Sequence, residues 1–119
     1  MSQYNLIHTV KIDEVGKEIG FTCYDADDAV VDLTSYTVTM NIWKGSTAVI
    51  TAASVTKRTQ SGATLGKCYH TWSAATIPNT KGTYKAELKC VAGSNVLYFP
   101  CDRNSERTYF TVIVQDALG

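Results

Sequence analysis

Strict alternation of apolar and polar residues limits this chain more than any other feature of its sequence. Residues 36–43, YTVTMNIW, set Tyr36, Val38, Met40 and Ile42 on one side and Thr37, Thr39 and Asn41 on the other. Residues 83–90 repeat the pattern, with Tyr84, Ala86, Leu88 and Cys90 against Thr83, Lys85, Glu87 and Lys89. A period of two belongs to strands that bury one face and wet the other. Ile19, Phe21 and Cys23 show it earlier, and Cys68, His70 and Trp72 show it mid-chain. Residues 107–114, RTYFTVIV, are β-branched and aromatic and predict a final strand.

Turn-forming residues punctuate these runs at 25–28, 44–46, 61–62, 79–82, 93–95 and 102–105. Their spacing predicts about seven to nine antiparallel strands. Only residues 72–78, WSAATIP, suit a helical turn, and Pro78 stops anything longer. With no linker or repeat, residues 1–119 read as one all-β sandwich domain, with residues 1–15 as an N-terminal arm or first strand. The stretch Thr80-x-Gly82-x-Tyr84 matches the corner that opens the sixth strand of an immunoglobulin-like sandwich. In antibody-like domains a half-cystine follows that tyrosine by two residues. Ala86 occupies the position here, and Cys90 comes four residues later.

Charge is balanced, at 11 basic and 11 acidic residues, so no electrostatic grip on nucleic acid or anionic membrane is expected. The N-terminus has neither the basic region nor the apolar core of a signal peptide, which predicts synthesis and folding in a cytoplasm. Cys23, Cys68, Cys90 and Cys101 include no CxxC pair. Reduced packing cysteines are the leading expectation, with one disulfide or a metal site as alternatives.

The acidic stretch Asp25, Asp27, Asp28 and Asp32 offers oxygen ligands in a loop and is the candidate cation site. It lacks the glycine and distal glutamate of a calcium helix-loop-helix, and aspartates are also favoured in turns for their bonds to nearby backbone. His8 and His70 lie in strand-like segments, and no serine or cysteine sits in a nucleophile motif, so no catalytic set and no cofactor are expected. Trp72 reads as core and Trp43 as the more exposed tryptophan. With tyrosines 4, 24, 36, 69, 98 and 109, Trp43 could line a carbohydrate or protein contact face. The N-terminal MSQYNLIHTV carries apolar residues on both faces (Tyr4, Leu6 and Val10 against Ile7), which predicts a strand covered on both sides. Tyr4, Leu6, Ile7 and Trp43 are therefore the candidate interaction surface. Phe21, Leu33, Trp72, Gly82, Tyr84, Ala86 and Leu88 are expected to be structural.

Two longer stretches, FTCYDADDAVVDLTSYTVTMNIWK (21–44) and GKCYHTWSAATIPNTKGTYKAELKCVAGSNVLYFP (66–100), carry a shared order of turn and core residues. Asp25, Asp27, Val31, Asp32, Leu33 and Thr34 come first, then Gly66, Lys67 and Trp72. Gly82, Thr83, Tyr84, Ala86, Glu87, Phe99 and Pro100 follow. In this order the chain resembles the small immunoglobulin-like domain at the N-terminus of upper-baseplate proteins of tailed bacteriophages. Asp28 replaces a usual glycine, His70 a tyrosine, and Lys81 precedes the corner glycine. The resemblance implies a non-enzymatic virion structural protein that docks on baseplate, tail or capsid subunits in many symmetric copies. A capsid decoration or head-fibre protein, and a carbohydrate-binding or host-adhesion module, are the alternative expectations.

Overall fold

A computed structural model describes residues 7–25, 27, 29–100 and 109–116. Its nine strands are β1 (Ile7–Lys11), β2 (Glu18–Thr22), β3 (Thr37–Lys44), β4 (Thr47–Ser54), β5 (Thr56–Lys57), β6 (Lys67–Thr71), β7 (Gly82–Ala92), β8 (Asn95–Phe99) and β9 (Phe110–Gln115). They form a six-stranded sheet, β1-β9-β7-β3-β4 with β8 also on β7, and a three-stranded sheet, β2-β6-β5. The fold is an all-β sandwich. The one expected helical turn is present, where the amides of Thr76 and Ile77 both reach the Ser73 carbonyl. A short 3-10 turn at Gly62–Thr64 had no signal in the sequence beyond Ser61-Gly62.

Alternation turns into burial as expected. Val38, Met40 and Ile42 from β3 meet Tyr84, Ala86, Leu88 and Cys90 from β7, and Ile19, Phe21, Cys68 and Trp72 from the small sheet close over them in one core. Tyr84 buries its ring, and its hydroxyl donates to the Thr80 carbonyl at 2.5 Å. The corner read from Thr80-x-Gly82-x-Tyr84 therefore exists as a hydrogen bond, and Gly82 has the positive φ of 152° that it needs. Both hairpins close on a Gly-Ser pair, Gly45-Ser46 between β3 and β4 and Gly93-Ser94 between β7 and β8. In each the glycine takes the positive-φ first position of a two-residue turn.

Three expectations need correcting or narrowing. The sandwich is not wholly antiparallel, because β1 pairs with β9 in parallel from Ile7↔Thr111 to Lys11↔Gln115. First and last strands are joined by the whole chain, so no hairpin forces them to oppose. Among the described residues of the chain itself the N-terminal strand is covered on one side: Val10 is buried and Ile7 is 61% exposed on the outer face, so only a neighbour could supply the second cover. Tyr4 and Leu6 lie outside the described residues. Finally, Glu87 was expected on the wet face and is 1% exposed. It sits in the middle of the large sheet opposite Asn41, on its central strand.

Along its far edge β7 pairs first with β9, over Gly82–Ala86, and then with β8, over Leu88–Ala92. Strands β8 and β9 run in the same direction along that edge. The pairing of β8 ends at Phe99 and that of β9 begins at Phe110, on either side of Glu87.

Candidate docking face

The register of the large sheet sets Trp43, Lys85, Thr111 and Ile7 in one row across four strands. Parallel rows carry Thr39, Lys89 and Tyr98, then Thr37, Val91 and Val96. All of these project away from the core, because their chain neighbours are the buried Ile42, Ala86, Val112, Leu88, Cys90 and Val38. Val96 and Tyr98 are 44% and 40% exposed. Trp43 meets Tyr109 edge-on, at 6.1 Å between centroids and 73° between planes. The Lys85 ammonium lies 5.4 Å from the centre of the Tyr109 ring. With Gly45 and Ser46 these three residues line an open cleft of about 280 Å³.

The outer face of the small sheet is of another kind. It presents Glu18, Thr22, Lys67, Tyr69 and Thr71, and its polar groups engage one another. Arg58 bonds Glu18 at 2.8 Å and lies 4.0 Å over the Tyr69 ring, while the Lys67 ammonium donates to the Thr22 hydroxyl.

The acidic stretch is occupied with its own backbone. One Asp25 carboxylate oxygen accepts the amides of Asp27 and Ala29, at 2.8 and 3.0 Å. Asp32 accepts from both the amide and the hydroxyl of Thr34, which hold its carboxyl below the usual aspartate range. Asp28 lies outside the described residues, and among those described no cluster of three or more acidic, histidine or cysteine side chains could hold a metal ion.

His70 is buried as a tether. Its Nδ1 donates to the Ser54 carbonyl at 2.6 Å, its Nε2 faces the Thr76 hydroxyl at 3.0 Å, and its ring packs edge-on against Trp72. His8 contacts the rings of Phe21 and Phe110. Cys23, Cys68 and Cys90 are free, buried thiols. Hydrogen bonds from the Cys23 thiol to Cys68 and Cys90, together with burial, push it far above its usual range. The bond that Cys23 donates holds the Cys90 thiol below its usual range, and all three side chains are buried in the core as small packing groups. Cys101 lies outside the described residues.

Of the proposed structural residues, Phe21, Leu33, Trp72, Tyr84, Ala86 and Leu88 are all buried, and Gly82 turns the corner. Of the proposed interaction surface, Ile7 and Trp43 share one outer face. Sequence reading did not single out Gln60. Its Oε1 accepts the amides of Leu33 and Gly66, and its Nε2 donates to the carbonyls of Arg58 and Lys67. Nor did it single out Lys57, whose ammonium caps the Thr34 and Tyr36 carbonyls. Both are long polar side chains in loop-like sequence, and only the tertiary fold brings their targets within reach.

No family model matches the chain, and no curated protein matches its sequence.

Proposed function

We propose that this protein is a non-enzymatic structural component of a tailed-phage virion. In this reading it docks on baseplate, tail or capsid subunits through the outer face of its six-stranded sheet. The observation that carries the docking role is the contrast between the two outer faces. One leaves Ile7, Val96 and Tyr98 exposed at separate points and carries the Trp43–Tyr109 ring pair, while the other binds its polar groups to one another. Exposed apolar area rimmed by polar residues is the usual mark of a protein contact. The virion assignment draws on the ordered motifs from Asp25 to Pro100 that resemble the upper-baseplate domain. The strand order is compatible with an immunoglobulin-like arrangement, in which β2, β6 and β5 would be B, E and D, and β3, β7 and β9 would be C, F and G. Because symmetric assembly multiplies weak contacts, each copy needs only modest affinity.

The test is to express the chain with its virion and image the particles. Localised density on the particle, lost with Tyr98→Lys and Val96→Lys together, is the expected result. Incorporation unaffected by both changes would remove this face from the proposal, and absence from purified particles would remove the virion role.

The cleft between Trp43 and Tyr109 supports a second reading, a carbohydrate-binding module. An aromatic corner beside an ammonium and a small Gly-Ser turn suits one sugar ring. Glycan-array binding by the isolated chain, abolished by Trp43→Ala, would favour it over the structural role.

A further inference from the structure

Three sulfurs meet where the two sheets close on each other. Cys23 extends the β2 ladder by one residue. Its amide donates to the Gly66 carbonyl at 2.8 Å, in the register that pairs Phe21 with Cys68 and Thr22 with Lys67. Cys68 therefore lies on the same inner face as Cys23, one diagonal step away. Cys90 comes from the other sheet, on the inner face of β7, where it pairs with Val38 and Leu97. All three thiols are free and buried, and the Cys23 thiol is hydrogen-bonded to both of the others.

The ladder decides which of the two Cys23 can join. Diagonal neighbours on one sheet stand about 7–8 Å apart at Cα, at or past the roughly 7 Å that a disulfide spans without backbone movement. Cys68 is fixed in that place by β2 on one edge of its strand and by β5 on the other. No such register sets the distance from Cys23 to Cys90, because among the described residues the two sheets share no strand pairing. The bond between their thiols means that these two side chains point at each other across the core.

We propose that Cys23 and Cys90 form an oxidation site, a thiol pair that a small disulfide such as oxidised glutathione converts into a covalent tie between the two sheets. In that reaction both S–H bonds break and one S–S bond forms. Two electrons and two protons pass to the small disulfide, which leaves as two thiols. Cys68 keeps its proton and stays a thiol. The tie closes a loop that holds β3, β4, β5 and β6, so it restricts the unfolded chain where packing alone now joins the layers. Burial keeps reagents away from the folded pair, so the bond is made or broken only while the sandwich is open. The inference does not depend on what either outer face binds.

Refolding the full chain from urea in glutathione buffers of increasing oxidised fraction tests it. Peptide mass mapping should find Cys23 joined to Cys90, with Cys68 still open to alkylation once the chain is denatured. The bridged chain should melt about 10 °C above the chain kept reduced. Cys68→Ala should form the same bridge, and Cys90→Ala should lose it. Mapping of the natural chain decides the matter even where a core variant folds poorly. A Cys23 that remains a thiol, or carries only glutathione, in every buffer would overturn the proposal. So would a bridge from Cys23 to Cys68 or to Cys101 in its place, or a chain joined at Cys23 and Cys90 that melts below the reduced one.

Discussion

The two outer faces of this sandwich are built from the same strand periodicity and finish their surfaces in opposite ways. On the small sheet each long side chain has a partner on the same face: Arg58 takes Glu18 and the Tyr69 ring, and Lys67 takes Thr22. On the large sheet the exposed residues include Ile7, Val96 and Tyr98, and the Lys85 ammonium rests over an aromatic ring. Leaving such area in water forfeits about 25 cal/mol for each Å² that a partner could cover. By this measure the large sheet's outer face has more to gain from being covered than the small sheet's.

The largest expected effect breaks the comparison by loosening the small sheet itself. Gly66 leads into β6 with a φ of 78°, and a Cβ there would stand 2.2 Å from Val30 Cγ1 and 3.2 Å from the carbonyl oxygens of Cys23 and Val31. Backbone strain and overpacking each cost about 1–3 kcal/mol, so Gly66→Ala should destabilise the fold by about 2–4 kcal/mol. Urea denaturation measures this. A loss below about 1 kcal/mol would mean that the loop yields without cost.

Next in size is an effect on binding with little effect on folding. Trp43 is only half-buried, on the outer side of a strand whose inner side supplies Met40 and Ile42. Trp43→Ala should reduce docking by about 2 kcal/mol, roughly thirtyfold in affinity, as expected when an aromatic anchor is truncated. Its cost in stability should be about 1 kcal/mol. Equal losses in both measurements would make Trp43 a packing residue and erase the difference between the faces. The matching change on the other face is Arg58→Ala. It removes an exposed ion pair and a ring contact worth about 0.5–1 kcal/mol together, and should leave docking untouched. A docking defect in Arg58→Ala would show that the small sheet is in the interface.

How much of this was legible in the sequence follows from the range of each interaction. Strands β3 and β7, the tyrosine corner and both Gly-Ser turns rest on contacts within a few residues or on strict alternation, and each was readable. The pairing of β1 with β9 joins the two ends of the chain, so nothing local encoded it. The burial of Glu87, between the ends of the β8 and β9 pairings, depends on tertiary surroundings that alternation cannot carry. Gln60 shows the limit best. Its side chain joins Leu33, Arg58, Gly66 and Lys67, yet glutamine in a turn-rich stretch looks like any solvated loop residue. The candidate docking face was half-legible: Trp43 and Ile7 were named together as surface residues, but their shared row depends on the register of four strands.

The smallest predicted effect concerns the acidic stretch and sharpens the comparison by locating acid sensitivity away from both faces. Asp32 titrates below its ordinary value of 3.8, first through the Thr34 hydroxyl and then through the Thr34 amide, with Lys57 adding attraction. A folded-state pKa below the unfolded one stabilises the fold at pH above the unfolded value, and that contribution fades as pH falls through the folded pKa. The turn from Asp32 into β3 should therefore stay intact at neutral pH and loosen only in acid, below about pH 4. Amide resonances of Thr34 followed by NMR from pH 7 to pH 2 should shift in that acidic window alone. Thr34→Val removes the hydroxyl donor and should move the Asp32 midpoint upward, toward its ordinary value. A midpoint unmoved by Thr34→Val would assign the shift to the backbone amide and Lys57. Resonances from Trp43 and Tyr98 should stay still across the same window, because neither residue shares a hydrogen bond with Asp32 or Thr34 among the described residues.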